Sequence, residues 1–194
     1  MTDFENFRKE KITINLLWAN IFALLLLIPV LVTIGIPYYF IWKRDLNVLQ
    51  LLDQLTPLGA GLRLLLILII MISGIVMHEL IHGFTWSFFT LKGFRSMKFG
   101  VLWEMLTPYC HCEEPLKKKH YVSGAITPGI ILGLLPCVLA LITGSMAMLI
   151  FGIFFTISAA GDILIIWSIR KEKWDVYVLD HPSEAGCYVL RKKE

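Results

Sequence analysis

Charge is the scarcest property of this chain. Only 17% of its 194 residues are Asp, Glu, Lys or Arg, while 57% are hydrophobic and the mean hydropathy is +0.70. That balance leaves too little charge to cover a soluble surface and more apolar side chain than one small core can hide, which excludes an ordinary soluble domain and points to a membrane. Cysteine is scarce as well. Cys110, Cys112, Cys137 and Cys187 fall in a span or in segments expected on the cytoplasmic side, where thiols stay reduced, so no disulfide framework is expected. No small-residue cleavage pattern follows the charged first residues, and the apolar run behind Lys11 is too long for a signal-peptide core. The net charge of +3 is modest and reads as a topology signal and a contact with anionic lipid, not as a footprint for nucleic acid.

Four stretches are long and apolar enough to cross a bilayer: about Ile14 to Trp42, Leu62 to Phe89, Tyr121 to Ile142 and Met146 to Ile169. The connections are short, so residues 1–194 read as one integral-membrane domain, all-α and polytopic, with residues 170–194 as a tail. Pro29 and Pro37 are expected to kink the first span. Lysine and arginine collect at Arg8 to Lys11, at Lys92 to Lys98, at Lys117 to Lys119 and after Arg170, while the other side carries only Lys43, Arg44 and Arg63. This asymmetry predicts that both termini are cytoplasmic. Between Lys43 and Gly61, leucines at 46, 49, 52 and 55 predict a short helix lying on the outer surface.

Inside the second stretch stands His78-Glu79-Leu80-Ile81-His82. At 3.6 residues per turn the two histidines lie one above the other on one helix face, spaced to share a metal ion, with Glu79 about 100° round from them. Ionisable groups at bilayer depth cost roughly 2.5–3.5 kcal/mol each on insertion scales, so their presence there marks a functional site. A third ligand must come from elsewhere, and Asp162 is the sole acidic residue in spans three and four. Counted from the outer ends of their spans, His78 lies about 21 Å deep and Asp162 about 24 Å deep at 1.5 Å per residue, hence at one level. Ser158 to Gly161 on span four, with Ser73 and Gly74 on span two, predict a close backbone approach.

This layout resembles the site-2 protease class of intramembrane zinc metalloproteases and, more closely, a bacterial family of small membrane proteins described as zincin peptidases. The resemblance covers roughly residues 62 to 187. It implies that His78, His82 and Asp162 ligate one Zn2+ and that Glu79 is the catalytic base of peptide hydrolysis, removing a proton from water and delivering it to the leaving amine. The implied partners are a membrane-embedded or membrane-associated protein substrate and the bilayer, and the implied location is a bacterial plasma membrane. One departure stands out. Asp162 follows Gly161 and precedes Ile163, so the substrate-clamping Asn and Pro of the site-2 class have no counterpart here. A non-enzymatic adaptor with a structural metal site, and a small ion- or proton-coupled transporter, are the competing readings.

Ala125, Gly129 and Gly133, with Pro128 and Pro136 nearby, predict a smooth packing face on a kinked third span. Thr85 and Thr127 either line a water inlet or bond back to their own helices. Residues 93–112 alternate as a strand or hairpin beside the site, either offering an edge to an extended substrate or lying as an interfacial loop. Cys110-His111-Cys112 is too crowded to surround a second ion unaided, and His120 and His181 read as ordinary surface histidines.

Overall fold

The computed structural model describes residues 7–43, 59–103, 107–182 and 184–192. The expected surface helix after Lys43 lies outside the described residues. Four helices are long and apolar enough to cross a membrane, Leu17–Trp42, Gly61–Ser87, Lys118–Thr143 and Met146–Ser168, within a few residues of the sequence expectation.

The first is α1 (Leu16–Val30), a π-turn at Leu31–Gly35 and α2 (Ile36–Trp42). Asn15 caps its start, its side chain accepting from the Trp18 amide at 3.2 Å. The second is α3 (Ala60–Ser87). The third is α4 (Lys118–Pro128), a π-turn at Gly129–Leu134 and α5 (Leu135–Thr143); the fourth is α6 (Met146–Ser158) and α7 (Ala160–Ser168), interrupted at Ala159. Each π-turn ends two residues before a proline, Pro37 or Pro136. A proline ring collides with the carbonyl four residues back in a regular helix, and the widened turn relieves that clash.

The third and fourth helices meet at glycines. A Cβ on Gly133 would meet Thr156 Oγ1 at 2.6 Å and the Thr156 backbone at 2.9 Å, and one on Gly152 would meet the Cys137 amide nitrogen at 2.7 Å, so only glycine allows this approach. The expected smooth face of the third helix is therefore a packing seam. The approach expected between Ser73-Gly74 on the second helix and Ser158 to Gly161 on the fourth takes another form: the fourth helix meets Gly74 with the ring of Phe155, and Gly161 has nothing within 4 Å of where a Cβ would stand. The turn between these helices closes on Gly144 (φ +74), with Tyr38 Oη donating to the Gly144 carbonyl at 2.6 Å and Trp42 Nε1 to that of Leu141 at 3.1 Å, which pins the end of the first helix.

The chain is not all-α. A four-stranded antiparallel sheet in the order β1-β6-β5-β4 joins β1 (Phe7–Thr13), β4 (Leu116–Lys117), β5 (Tyr177–Asp180) and β6 (Gly186–Lys192). The tail after residue 170 thus carries two strands, and the charged N-terminus pairs with the last of them, Phe7 opposite Lys192 and Thr13 opposite Gly186. Between the second and third helices, β2 (Met97–Leu102) and β3 (Thr107–Cys112) form the hairpin that the alternation predicted. A core of Trp86, Cys112, Leu116, Tyr121, Ile169, Val178, Cys187 and Val189 fuses this sheet to the helix ends.

Candidate metal centre

His78 and His82 sit one turn apart on α3, both buried, their ring centroids 4.8 Å apart. Asp162, in the first turn of α7 just after the Ala159 interruption, reaches between them. One of its oxygens lies 3.3 Å from His78 Nε2 and the other 3.4 Å from His82 Nε2. Among the described residues this is the group of His, Cys, Asp or Glu side chains placed to hold a metal ion, with one donor atom from each within 4.8 Å of the others.

The donors fit zinc on two counts. Tetrahedral bonds of about 2.0–2.1 Å put donor atoms about 3.3 Å apart, which is the spacing of each imidazole Nε2 from the Asp162 carboxylate. His82 Nδ1 lies 2.9 Å from the Gly124 carbonyl and donates to it. A neutral His82 therefore presents the lone pair of Nε2 to the Asp162 carboxylate, two acceptors face to face, which a proton or a metal ion between them reconciles. This is also the usual outer-shell contact of a metal-ligating histidine. Trp86 keeps the histidine in register: it stacks on His82 at 5.2 Å and donates from Nε1 to the Tyr121 carbonyl at 2.9 Å.

Glu79, half-buried beside the triad, faces the backbone amide of Cys110 on β3. The hairpin presses on α3 at Gly83, where a Cβ would meet the Phe99 ring at 2.7 Å and Cys110 Sγ at 3.1 Å. Register shows what this does to the strand edge. The Glu113 amide bonds to Ser96, so residues 109, 111 and 113 face β2 while 108, 110 and 112 face outward. Pro108 has no N–H, that of Cys110 faces Glu79, and that of Cys112 donates to Asp180 Oδ2 at 2.8 Å. This outer edge has no spare donor for adding a substrate strand.

The triad and Glu79 open into a cavity of about 220 Å³ that runs to the β5–β6 turn and is lined there by His111, Asp180, His181 and Glu184. Thr85 and Thr127 both bond back to their own helices, at 2.8 Å to Ile81 and 2.6 Å to Ser123, and neither lines the cavity. His181 is no surface residue: its side chain is 6% exposed and stacks on Tyr188. His120 stacks on Phe89 with centroids 4.0 Å apart. Burial pushes the Cys110 thiol well up and the Cys112 thiol to about 12, so both stay protonated at neutral pH. No second metal-holding group includes them among the described residues.

A helix carrying two histidines and a carboxylate, completed by an aspartate from a second helix, is the layout of a zinc peptidase of the zincin type. The chain belongs to the family described as "Putative zincin peptidase", whose model matches residues 71–177 and so takes in both halves of the centre and the hairpin between them. No curated protein and no solved structure shows a significant match.

Proposed function

We propose that this protein is a zinc-dependent intramembrane peptidase of a bacterial plasma membrane, with both termini cytoplasmic, that hydrolyses peptide bonds of membrane-associated substrates. The observation that carries the reading is the Nε2–carboxylate–Nε2 spacing of 3.3 and 3.4 Å, combined with the His82 tautomer fixed by Gly124. Family membership supports peptidase chemistry, and the four apolar helices support a membrane setting.

His78, His82 and Asp162 would hold the ion through three protein donors, which leaves a tetrahedral site one open position. A zinc ion held there acidifies water and polarises the scissile carbonyl. Glu79 lies off the ligand face of α3 with the Cys110 amide facing its carboxylate, placed as the group that takes the proton of the attacking water and returns it to the leaving amine. The cavity toward the sheet is the route for water. Because the outer edge of β3 has committed its donors to Glu79 and Asp180, the substrate is held by side chains of the cavity and not by strand addition there.

Glu79→Gln separates this reading from a structural metal site, which has no use for the carboxylate. The variant should lose cleavage of a fluorescent casein probe in detergent micelles by more than a hundredfold and keep one zinc per chain by elemental analysis. Undiminished cellular function in the variant would favour an adaptor, and wild-type protein without zinc would favour a transporter.

A further inference from the structure

His111 lines the same cavity, and the proposed function gives it no task. Its side chain is 15% exposed and its Nδ1 has no hydrogen-bond partner. Such an atom carries a desolvation penalty that nothing in the folded chain repays. Asp180 Oδ2 lies 4.0 Å from it, too long for a hydrogen bond. Asp180 cannot swing to meet it: Tyr121 Oη donates to Oδ1 at 2.7 Å while the Cys112 amide holds Oδ2 at 2.8 Å. The carboxylate is thus fixed beside the imidazole and leaves Nδ1 without a partner.

The strand edge gives the distance of this pair from the reaction centre. The amides of Cys110 and Cys112 face Glu79 and Asp180 respectively; as alternate residues on one edge of β3 these two amides stand about 7 Å apart at ~3.4 Å per residue. An extended peptide advances by the same amount in two residues. We propose that His111, oriented by Asp180, is a substrate-binding residue that donates a hydrogen bond to a peptide carbonyl about two residues from the scissile bond. The pair thereby takes up the holding role for which β3 has no donors left. This rests on the peptidase reading of the same site.

The test uses zinc-loaded full-length protein in detergent and three probes: acetohydroxamate, which reaches only the metal, acetyl-Ala-Ala-hydroxamate, and a hydroxamate extended on its other side by Ala-Ala-amide. His111→Leu should weaken one of the two peptide probes about tenfold, leave acetohydroxamate binding and zinc content unchanged, and be largely rescued by His111→Gln, which keeps a donor. Equal weakening of all three probes, or no change in any, would overturn the proposal. A wild-type protein that holds zinc and binds the peptide probes no better than acetohydroxamate would also overturn it while leaving the metal site standing. Failure of wild type to bind zinc or acetohydroxamate would instead strike the peptidase reading itself.

Discussion

Gly124 shows how much of this centre rests on single atoms. Its carbonyl fixes His82, and its missing side chain makes room for Trp86, whose ring occupies the place a Cβ would take. Gly124→Ala must push apart α4 and the His82–Trp86 stack, so both the overpacking and the lost His82 contact act on the metal. Zinc affinity should fall about 10–100-fold, the usual effect of losing an outer-shell partner, as read by competition with a chromophoric chelator; an unchanged affinity would show that Gly124 does not orient His82. At this scale the sequence was most legible where spacing is local. His78, Glu79 and His82 follow from helix periodicity, and Asp162 from depth counted along the fourth span, which its interruption at Ala159 leaves nearly unchanged. Asp180, Tyr121 and His111 were illegible as a set because they meet only through pairing of β5 with β4 and contact with β3, which leaves no periodic trace in the chain.

Elements were legible in the same measure. The four helices are read from uninterrupted apolar runs and the β2–β3 hairpin from alternation. Strand β1, by contrast, has the composition FRKEKIT and an exposed, charged surface; it is a strand because β6, at the far end of the chain, supplies its hydrogen bonds. The coupling of helix ends to the sheet was hidden too. Lys118, buried at the start of α4, donates to the carbonyls of Arg170 at 3.1 Å and Glu172 at 2.7 Å, just beyond α7, with its ammonium 4.5 Å from the Trp174 ring centroid. It thereby ties the third helix to the one that carries Asp162. Lys118→Met keeps the stem and removes the charge, leaving carbonyls beyond α7 without their donor. Charge-assisted bonds of this kind contribute about 1.5–3 kcal/mol each, so a loss of about 3 kcal/mol is expected. For a chain of this size that is a fall of roughly 6–12 °C in Tm, measurable by thermal unfolding in detergent. A shift under about 2 °C would mean that the lysine is not a tie between the helices.

The pairing of β1 with β6 has a consequence for the whole molecule. Strands before the first apolar helix and after the fourth share one sheet, and β4, from the segment joining the second and third helices, lies in that sheet as well. Every segment rich in lysine and arginine among the described residues therefore gathers at one end of the bundle, while the Thr143–Ser145 turn stands at the other. Charge asymmetry favours the cytoplasm for the basic end, which also orients the cavity, because its sheet-lined part opens on that side. Cysteine accessibility in intact cells tests this with little background: Cys112, Cys137 and Cys187 are buried, Cys110 is half-buried, and burial pushes the Cys187 thiol to about 12, so the natural thiols react slowly. Thr143→Cys should be labelled by a membrane-impermeant maleimide in intact spheroplasts, and Lys98→Cys, whose position is 60% exposed, only after permeabilisation. The reverse pattern would place the sheet and the mouth of the cavity outside the cell, and substrates would then have to reach the metal centre from the opposite face of the membrane.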